Sequence, residues 1–263
     1  MEHNTDMLTS KADGILTIEF NRIERKNAIT AVMYQAMADA LVAAETDAEV
    51  RAILIAGKPE IFTAGNDLDD FTKNSRPLAD QAPEQRPVFQ FMRALAGSSK
   101  PVVAAVSGAA IGIGTTLLMH CDLVYAADTA KFSMPFAQLG LCPEFASSLL
   151  LPQLAGYPRA AEKLLLGEPF LAQEALEMGL VSKVLPAAEL RAFAQGQAAK
   201  LVALPAASIR ATKALMKRTR SGPVTEAMAA ENQLFGAMLL APEAKEAFTA
   251  FFEKRKPDFS RFS

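Results

Sequence analysis

The chain of 263 residues has few of the residues on which several common kinds of site depend. Its two cysteines, Cys121 and Cys142, are too few for a disulfide framework and favour the reducing cytoplasm. Its two histidines are His3, in a polar N-terminal tail, and His120. Histidine-dependent hydrolysis and a histidine-rich metal centre therefore have little support, and we expect no metal site.

Strong net charge and membrane-directed segments are also missing. The formal net charge is -2, which provides no electrostatic footprint for a nucleic acid. Residues 1–10 contain no apolar run of the kind found in secretion signals. The uncharged stretch from Pro101 to Cys121 is interrupted by Gly108, Gly112 and Gly114, so we interpret it as a buried strand, a turn and a buried helix. We predict neither a nucleic acid nor a membrane as a partner.

Strand-like and helix-like segments alternate over most of the chain. Short apolar runs predict strands, and apolar residues at helical spacing predict helices between them. This order indicates an α/β fold. The predicted segments are strands at 14–20, 51–56, 102–106 and 123–126, and helices at 30–46, 84–96 and 113–120.

After about Pro186 the pattern changes to helices alone, predicted at 187–201, 206–219, 224–239 and 243–254. These alanine-rich segments need another surface on which to pack, either the α/β part or another subunit. We therefore predict a core at residues 1–197 and a C-terminal helical region at 198–263. The polar, proline-containing stretch Thr72–Pro87 is predicted to form a flap over a pocket.

Two short segments each follow a predicted strand with a turn of small residues. They are Ile61 to Leu68 and Ser107 to Gly114, and their composition leaves backbone N–H groups open to a ligand. Together, such segments can direct two amide donors at one developing negative oxygen. An enzyme that forms an enolate requires this arrangement.

These segments belong to a set of ordered motifs that resembles a known family. The motifs at 21–29, 62–68, 100–108 and 121–122, and the C-terminal segment 251–259, resemble the crotonase superfamily of enoyl-CoA hydratases and isomerases. The resemblance implies a spiral of repeated β-β-α units and a helical C-terminal region used in homotrimers or dimers of trimers. It also implies an acyl-CoA substrate whose carbonyl lies between two backbone N–H groups, by position those of Ala64 and Ile113.

The resemblance further implies where CoA binds, and because CoA is part of the substrate, we expect no separate cofactor. Helix capping is an alternative role for the side chains of Asn66 and Asp67, and a solvated loop is an alternative for Arg25 and Lys26. A basic residue such as Lys254 is also favoured at a helix C-terminus by the helix dipole. The predicted CoA-binding residues are Arg25, Lys26, Ala28, Gly65, Asn66, Asp67, Leu68, Gly112 and Lys254.

The acid positions of the motifs distinguish two reactions. Where a hydratase of this family would carry its two catalytic carboxylates, the sequence has Thr116 and Phe136, which transfer no proton at neutral pH. The segment Pro135–Ser148 instead resembles the peroxisomal-type Δ3,Δ2-enoyl-CoA isomerases, in which the glutamate of a Pro-Glu pair is the single base. That glutamate is Glu144, and its apolar neighbours are expected to raise its basicity.

The sequence therefore predicts a cytoplasmic enoyl-CoA isomerase of fatty-acid or related acid degradation, with Glu144 as the base. A structural alternative is that Pro143 and Glu144 only open a helix, where proline and an acid are favoured. Two other functions stay open. One is an enoyl-CoA hydratase that uses Glu144 with an unusual water geometry, and the other is a non-catalytic module that binds acyl-CoA or a protein partner.

Overall fold

A computed structural model describes residues 5–70 and 85–262 of the protein. Most of the predicted flap at Thr72–Pro87 lies outside these described residues. Within them, the strands form a sheet of six and a sheet of three. The strands are β1 (Met7–Ala12), β2 (Ile15–Phe20), β3 (Ala52–Ala56), β4 (Val102–Val106), β5 (Ala109–Ile111), β6 (Leu123–Ala127), β7 (Lys131–Ser133), β8 (Phe170–Leu171) and β9 (Lys183–Leu185).

The larger sheet has the order β1-β2-β3-β4-β6-β9 and is parallel from β2 onwards. β1 and β2 form an antiparallel hairpin through Asp13 and Gly14, whose φ angles of 50° and 77° suit a tight hairpin turn. In register, Ile53 of β3 lies beside Val102 of β4. Both of these strands are buried along their whole length, as their unbroken apolar sequences predict.

Helices follow the strands in the predicted alternation. The predicted Thr30 cap is present, since its hydroxyl accepts a hydrogen bond from the Met33 N–H at 3.3 Å. The helix predicted at 113–120 is a short α-helix followed by a 3-10 turn, Leu117–His120. The α-helices are α1 (Ala31–Thr46), α2 (Pro87–Gly97), α3 (Ile113–Thr116), α4 (Ser147–Ala155), α5 (Tyr157–Ala161), α6 (Ala172–Glu177), α7 (Ala187–Ala203), α8 (Ala206–Lys217), α9 (Ser221–Leu239) and α10 (Pro242–Phe252).

The chain passes from the larger sheet to the smaller one and then into a helix, and it does so repeatedly. β4 leads through two residues into β5 and then α3, and β6 leads through three residues into β7 and later α4. The smaller sheet has the order β5-β7-β8, so successive units stack side by side. This repeated β-β-α order confirms the predicted α/β spiral. No helix within the described residues is long and apolar enough to cross a membrane.

The C-terminal helices dock on the spiral through buried small and charged residues. α7 packs on β3, β4 and β6 with Leu190, Ala194 and Ala198 buried. The predicted boundary between residues 197 and 198 falls inside this continuous helix, and the division into a core and a helical region stays a prediction. In α8, the buried ammonium of Lys213 binds Asp122 at 2.6 Å and the Lys100 carbonyl at 2.7 Å. The oligomerisation role of the helical region stays a prediction.

Candidate active site

Two adjoining cavities lie where the spiral meets the C-terminal helices. The loop cavity, of about 600 Å³, is lined by both small-residue loops and by aromatic side chains of α9 and α10. The glutamate cavity, of about 120 Å³, is lined by Glu144 and by residues that include Tyr34, Phe89 and Met92. Asn66, Asp67 and Phe235 line both cavities, so the two spaces meet at these residues.

The two small-residue loops are fixed side by side by backbone hydrogen bonds. Thr63 pairs with Ala110 in a parallel bridge, in which the Thr63 N–H donates to Ala109 O at 2.9 Å and the Ile111 N–H donates to Thr63 O at 3.0 Å. Gly65 has a φ of 84°, and a Cβ at this position would lie 2.7 Å from Ile111 O. A glycine is therefore needed for the loops to approach this closely.

The first loop offers its amide donor two residues later than predicted. The Ala64 N–H donates to Lys26 O at 3.0 Å, and the Gly65 N–H donates to Thr63 Oγ1 at 3.1 Å. Both groups are occupied by the fold, so the prediction that the Ala64 N–H faces the substrate is wrong. The Asn66 N–H has no hydrogen-bond partner in the described part of the chain, and Asn66 lines both cavities.

The second loop offers the Ile113 N–H, as predicted by position. Gly112 has a φ of 56° and turns the chain, so that Ile113 becomes the first residue of α3. The first N–H groups of a helix have no partner within it. The Ile113 N–H has no partner elsewhere among residues 5–70 and 85–262 either, and Ile113 lines the loop cavity. Asn66 and Ile113 thus each offer a backbone donor to the loop cavity.

Glu144 is a buried carboxylate with only part of its hydrogen-bonding capacity used. It is 4 % exposed, and its Oε1 accepts a short hydrogen bond from the Thr116 hydroxyl. Its Oε2 is buried and has no hydrogen-bond partner among the described residues. Burial raises the pKa of Glu144 to about 8, the Thr116 hydrogen bond opposes this rise, and the charge of Glu231 adds to it. The direction of this shift agrees with the rise in basicity expected from the apolar neighbours of Glu144.

Glu144 does not begin a helix, because α4 starts three residues later at Ser147, and the residue before that helix, Ala146, makes no side-chain cap. Helix opening by Pro143 and Glu144 is therefore not what this pair does. Within the described residues, no group of three histidine, cysteine, aspartate or glutamate side chains is arranged to hold a metal ion. The site therefore combines one buried carboxylate with two backbone N–H groups that line the adjoining cavities.

Comparison with known proteins identifies the family. A sequence model of the enoyl-CoA hydratase/isomerase family matches residues 10–261. The chain belongs to this family. It is 35% identical to enoyl-CoA delta isomerase 2 of Rattus norvegicus over 97% of this chain, which spans 65% of the rat protein. It is 30% identical to 2,3-dehydroadipyl-CoA hydratase of Escherichia coli K12, over 97% of this chain and 98% of that protein.

A solved structure gives the same assignment at the level of the fold. The enoyl-CoA hydratase/isomerase from Pseudoalteromonas atlantica T6c has a TM-score of 0.90 and 38% sequence identity to this chain. The match covers 97% of this chain and 100% of that one. The predicted membership of the crotonase superfamily, and its fold, are thereby confirmed. Because the relatives include both an isomerase and a hydratase, the reaction has to be argued from the residues of the site.

Thr116 and Phe136 stand at the two positions where the resemblance implies the catalytic acids of a hydratase, and their surroundings differ. Thr116 is fully buried and donates its hydroxyl hydrogen to Glu144. Phe136 lines the loop cavity and packs against Phe235, with their ring centroids 6.5 Å apart. One position therefore supports the glutamate, and the other presents an apolar wall.

The structure brings most of the predicted CoA-binding residues to the loop cavity, whose lining includes Arg25, Lys26, Ala28, Gly65, Asn66, Asp67, Leu68 and Gly112. Lys254 is absent from the described lining of this cavity and follows the end of α10. The capping alternative holds for the Asp67 side chain, which accepts the Asp70 N–H at 3.0 Å and binds Arg22 at 2.6 Å.

A residue that the sequence analysis missed, Glu231, holds the turn after Glu144. Phe145 and Ala146 have φ angles of 59° and 57°, a left-handed conformation that is unfavourable for residues with a side chain. The Glu231 carboxylate of α9 accepts the Ala146 N–H at 2.5 Å and the Ser148 N–H at 3.0 Å. It also accepts a short hydrogen bond from the Ser148 hydroxyl.

The sequence does contain a signal for this role. Glu231 follows Val224 and Met228 at a spacing of seven and three residues, which places a charged residue on the buried face of α9. A buried carboxylate on a helix face needs donors from another segment. Here those donors belong to the loop that carries Glu144.

We expect Glu231→Ala to lower the free energy of unfolding by about 3 kcal/mol, because buried donors lose a charged acceptor and a strained turn loses its support. Urea unfolding of both proteins measures this change. The matched control is Glu226→Ala on the exposed side of the same helix, which should be nearly neutral. Equal effects of the two substitutions would contradict the role of Glu231.

Proposed function

We propose that this chain is an enoyl-CoA isomerase that converts 3-enoyl-CoA to 2-enoyl-CoA with Glu144 as its single base. The observation that carries the proposal is the buried Glu144 carboxylate, which has one oxygen bound to Thr116 and lines a cavity that adjoins two available amides. Migration of a double bond needs one group that removes a proton from C2 and returns it to C4. It needs no second carboxylate.

The loop cavity fits the thioester end of the substrate. The carbonyl oxygen of the substrate would accept hydrogen bonds from the N–H groups of Asn66 and Ile113. These hydrogen bonds stabilise the negative charge that develops on this oxygen. Ionised Glu144 removes the C2 proton, and the electron pair of the C2–H bond moves toward the carbonyl while the 3,4 double bond stays in place. The resulting dienolate collapses when Glu144 returns the proton to C4. At reprotonation the 3,4 π electrons form the new C4–H bond, and the enolate electrons return to form the 2,3 double bond. Reactant and product then differ only in the position of the double bond.

The raised pKa of Glu144 suits this cycle. A base with a pKa near 8 removes a weakly acidic C–H proton better than an ordinary carboxylate does, and its protonated form still returns the proton readily. Phe136 supports isomerisation over hydration, because it presents a ring where a hydratase needs a group that orients water. A protein that only binds acyl-CoA does not need a buried carboxylate with one oxygen left without a hydrogen bond.

The cellular compartment and the oligomeric state of the protein are part of the proposal. We propose that the protein acts in the cytoplasm on acyl-CoA thioesters without a separate cofactor, as its free cysteines and the lining of the loop cavity support. We also propose a homotrimer or a dimer of trimers. Large exposed apolar side chains of the helical region favour such contacts, and they include Leu215, Met216, Leu234, Leu240, Phe251 and Phe252.

Product analysis separates the possible reactions. With 3-enoyl-CoA the protein should form 2-enoyl-CoA, and with 2-enoyl-CoA it should form little 3-hydroxyacyl-CoA. Glu144→Gln should reduce isomerisation by about 100-fold or more while the binding of a saturated acyl-CoA is retained, and Glu226→Gln is the control. Rapid hydration without isomerisation would favour the hydratase. Binding without either reaction would favour the non-catalytic module.

The dependence on pH follows from the same carboxylate. Because Glu144 must be ionised, kcat/KM should rise about tenfold per pH unit below the pKa of about 8 and level off above it. Thr116→Val removes a hydrogen bond that favours the charged form, so its profile should move to higher pH. A profile that is flat from pH 6 to 9, or one that moves to lower pH in the variant, would contradict the assignment.

The amide of Asn66 is tested by a pair of substitutions at one position. Asn66→Pro deletes the N–H and should reduce the rate by about 100-fold, whereas Asn66→Ala keeps this donor and loses only the bond from the Tyr34 hydroxyl. Circular dichroism and thermal unfolding of both variants check that the loop is folded. Similar rates for the two variants would remove Asn66 from the oxyanion site.

A further inference from the structure

A third cavity, of about 680 Å³, continues from the glutamate cavity. The two share Arg86, Phe89, Asn232 and Gly236 in their linings, whereas the third cavity and the loop cavity share none of their described lining residues. The three spaces therefore lie in a row, with Glu144 in the middle one. An acyl chain that enters from the loop cavity and passes Glu144 has this third space ahead of it.

The third cavity, which we call the basic cavity, has cations in its lining and no acid among its described lining residues. These cations are Arg86, Arg93, Lys217 and Arg220. His120 also lines the cavity, but burial lowers its pKa to about 3, so the imidazole is neutral. Several positive charges beside low-dielectric walls produce a positive potential inside the cavity.

Lys217 and Arg220 have structural contacts that account for only part of their donors. Lys217 Nζ donates to Ala96 O at 3.0 Å, and Arg220 Nη2 donates to Met119 O at 3.1 Å, so each caps the end of a helical segment. An ammonium has three donors and a guanidinium has five. Capping explains one donor of each and leaves the others for a further acceptor.

These two residues also lack an ion-pair partner among the described residues. Within the described residues, neither Lys217 nor Arg220 forms an ion pair, whereas their neighbour Lys213 binds Asp122 at 2.6 Å. Burial, together with the nearby charges of Lys213 and Arg220, lowers the pKa of Lys217 to about 8, although the charge of Asp122 opposes this shift. Partly buried cations side by side cost free energy unless an anion is present.

We propose that the basic cavity binds a carboxylate at the far end of the acyl chain, so that the preferred substrates are CoA thioesters of dicarboxylic acids. This inference rests on the proposed function for the direction of the acyl chain. A terminal methyl group would leave both cations without an anion, and it would displace water from them. A terminal carboxylate pairs with Lys217 and Arg220, and Asn232 and Gln233 line the same space as further donors.

Binding of saturated thioesters tests the inference without any turnover. Calorimetry compares hexanoyl-CoA, octanoyl-CoA and decanoyl-CoA with the thioesters of equal length that end in a carboxylate. We expect the carboxylated member to bind about tenfold more tightly at one or more of these lengths. Equal affinities at every length would overturn the proposal.

Substitutions test whether Lys217 and Arg220 cause the preference for thioesters that end in a carboxylate. Lys217→Met and Arg220→Gln should each remove most of the preference for the carboxylated thioester, because each deletes one of the two proposed ion pairs. The affinity for the methyl-terminated thioesters should stay within about twofold, because these thioesters form no ion pair with either residue. Lys217→Arg keeps the charge and should retain the preference. Arg218→Gln is the matched control, because Arg218 is exposed beside the cavity. A preference that survives in both Lys217→Met and Arg220→Gln would place the carboxylate elsewhere.

The outcome is separable from that of the proposed function. A protein that isomerises 3-enoyl-CoA but binds both kinds of thioester equally keeps its function and loses the basic subsite. A protein that prefers carboxylated thioesters but isomerises neither keeps the subsite and loses the isomerase assignment. Thermal unfolding of each variant shows whether loss of the helix cap, rather than of the ion pair, changes affinity.

Discussion

The constraint on which the site depends is the free-energy cost of burying a carboxylate. The protein meets this cost differently for two glutamates. Glu231 is surrounded by backbone and hydroxyl donors of one turn, and these bonds make it a structural anchor. Glu144 receives only the Thr116 hydroxyl, so burial raises its pKa and suits it to the proposed role of a base. The proposed base is therefore the carboxylate to which the fold gives fewer hydrogen-bond donors.

Much of the fold could be predicted because burial leaves a periodic pattern in the sequence. β3 and β4 are continuous apolar runs, and α1 places apolar residues at helical spacing behind a threonine cap. β1 escaped prediction because only Met7 of its six residues is buried, and its pairing depends on the neighbouring strand. The smaller sheet escaped because strands of two or three residues are too short to show a period.

The site was predictable where a local motif fixes a residue and not where distant segments decide the geometry. Glu144 and Ile113 are recognisable from their own segments. The donor of the first loop is not, because Ala64 is excluded by the carbonyl of Lys26, a contact across the sequence that no local pattern records. The same reason explains why Glu231 was missed, since its partners lie more than eighty residues earlier in the chain.

The contact between Glu231 and the turn at Phe145 and Ala146 ties the order of folding to the appearance of activity. The two left-handed residues have no local reason to hold their conformation, and the anchor that stabilises it belongs to a helix near the end of the chain. The strands of both sheets precede α9 in the chain, but the turn that carries Glu144 gains its anchor only when α9 has packed. For the base proposed above, activity toward acyl-CoA therefore depends on helices that are among the last to be synthesised.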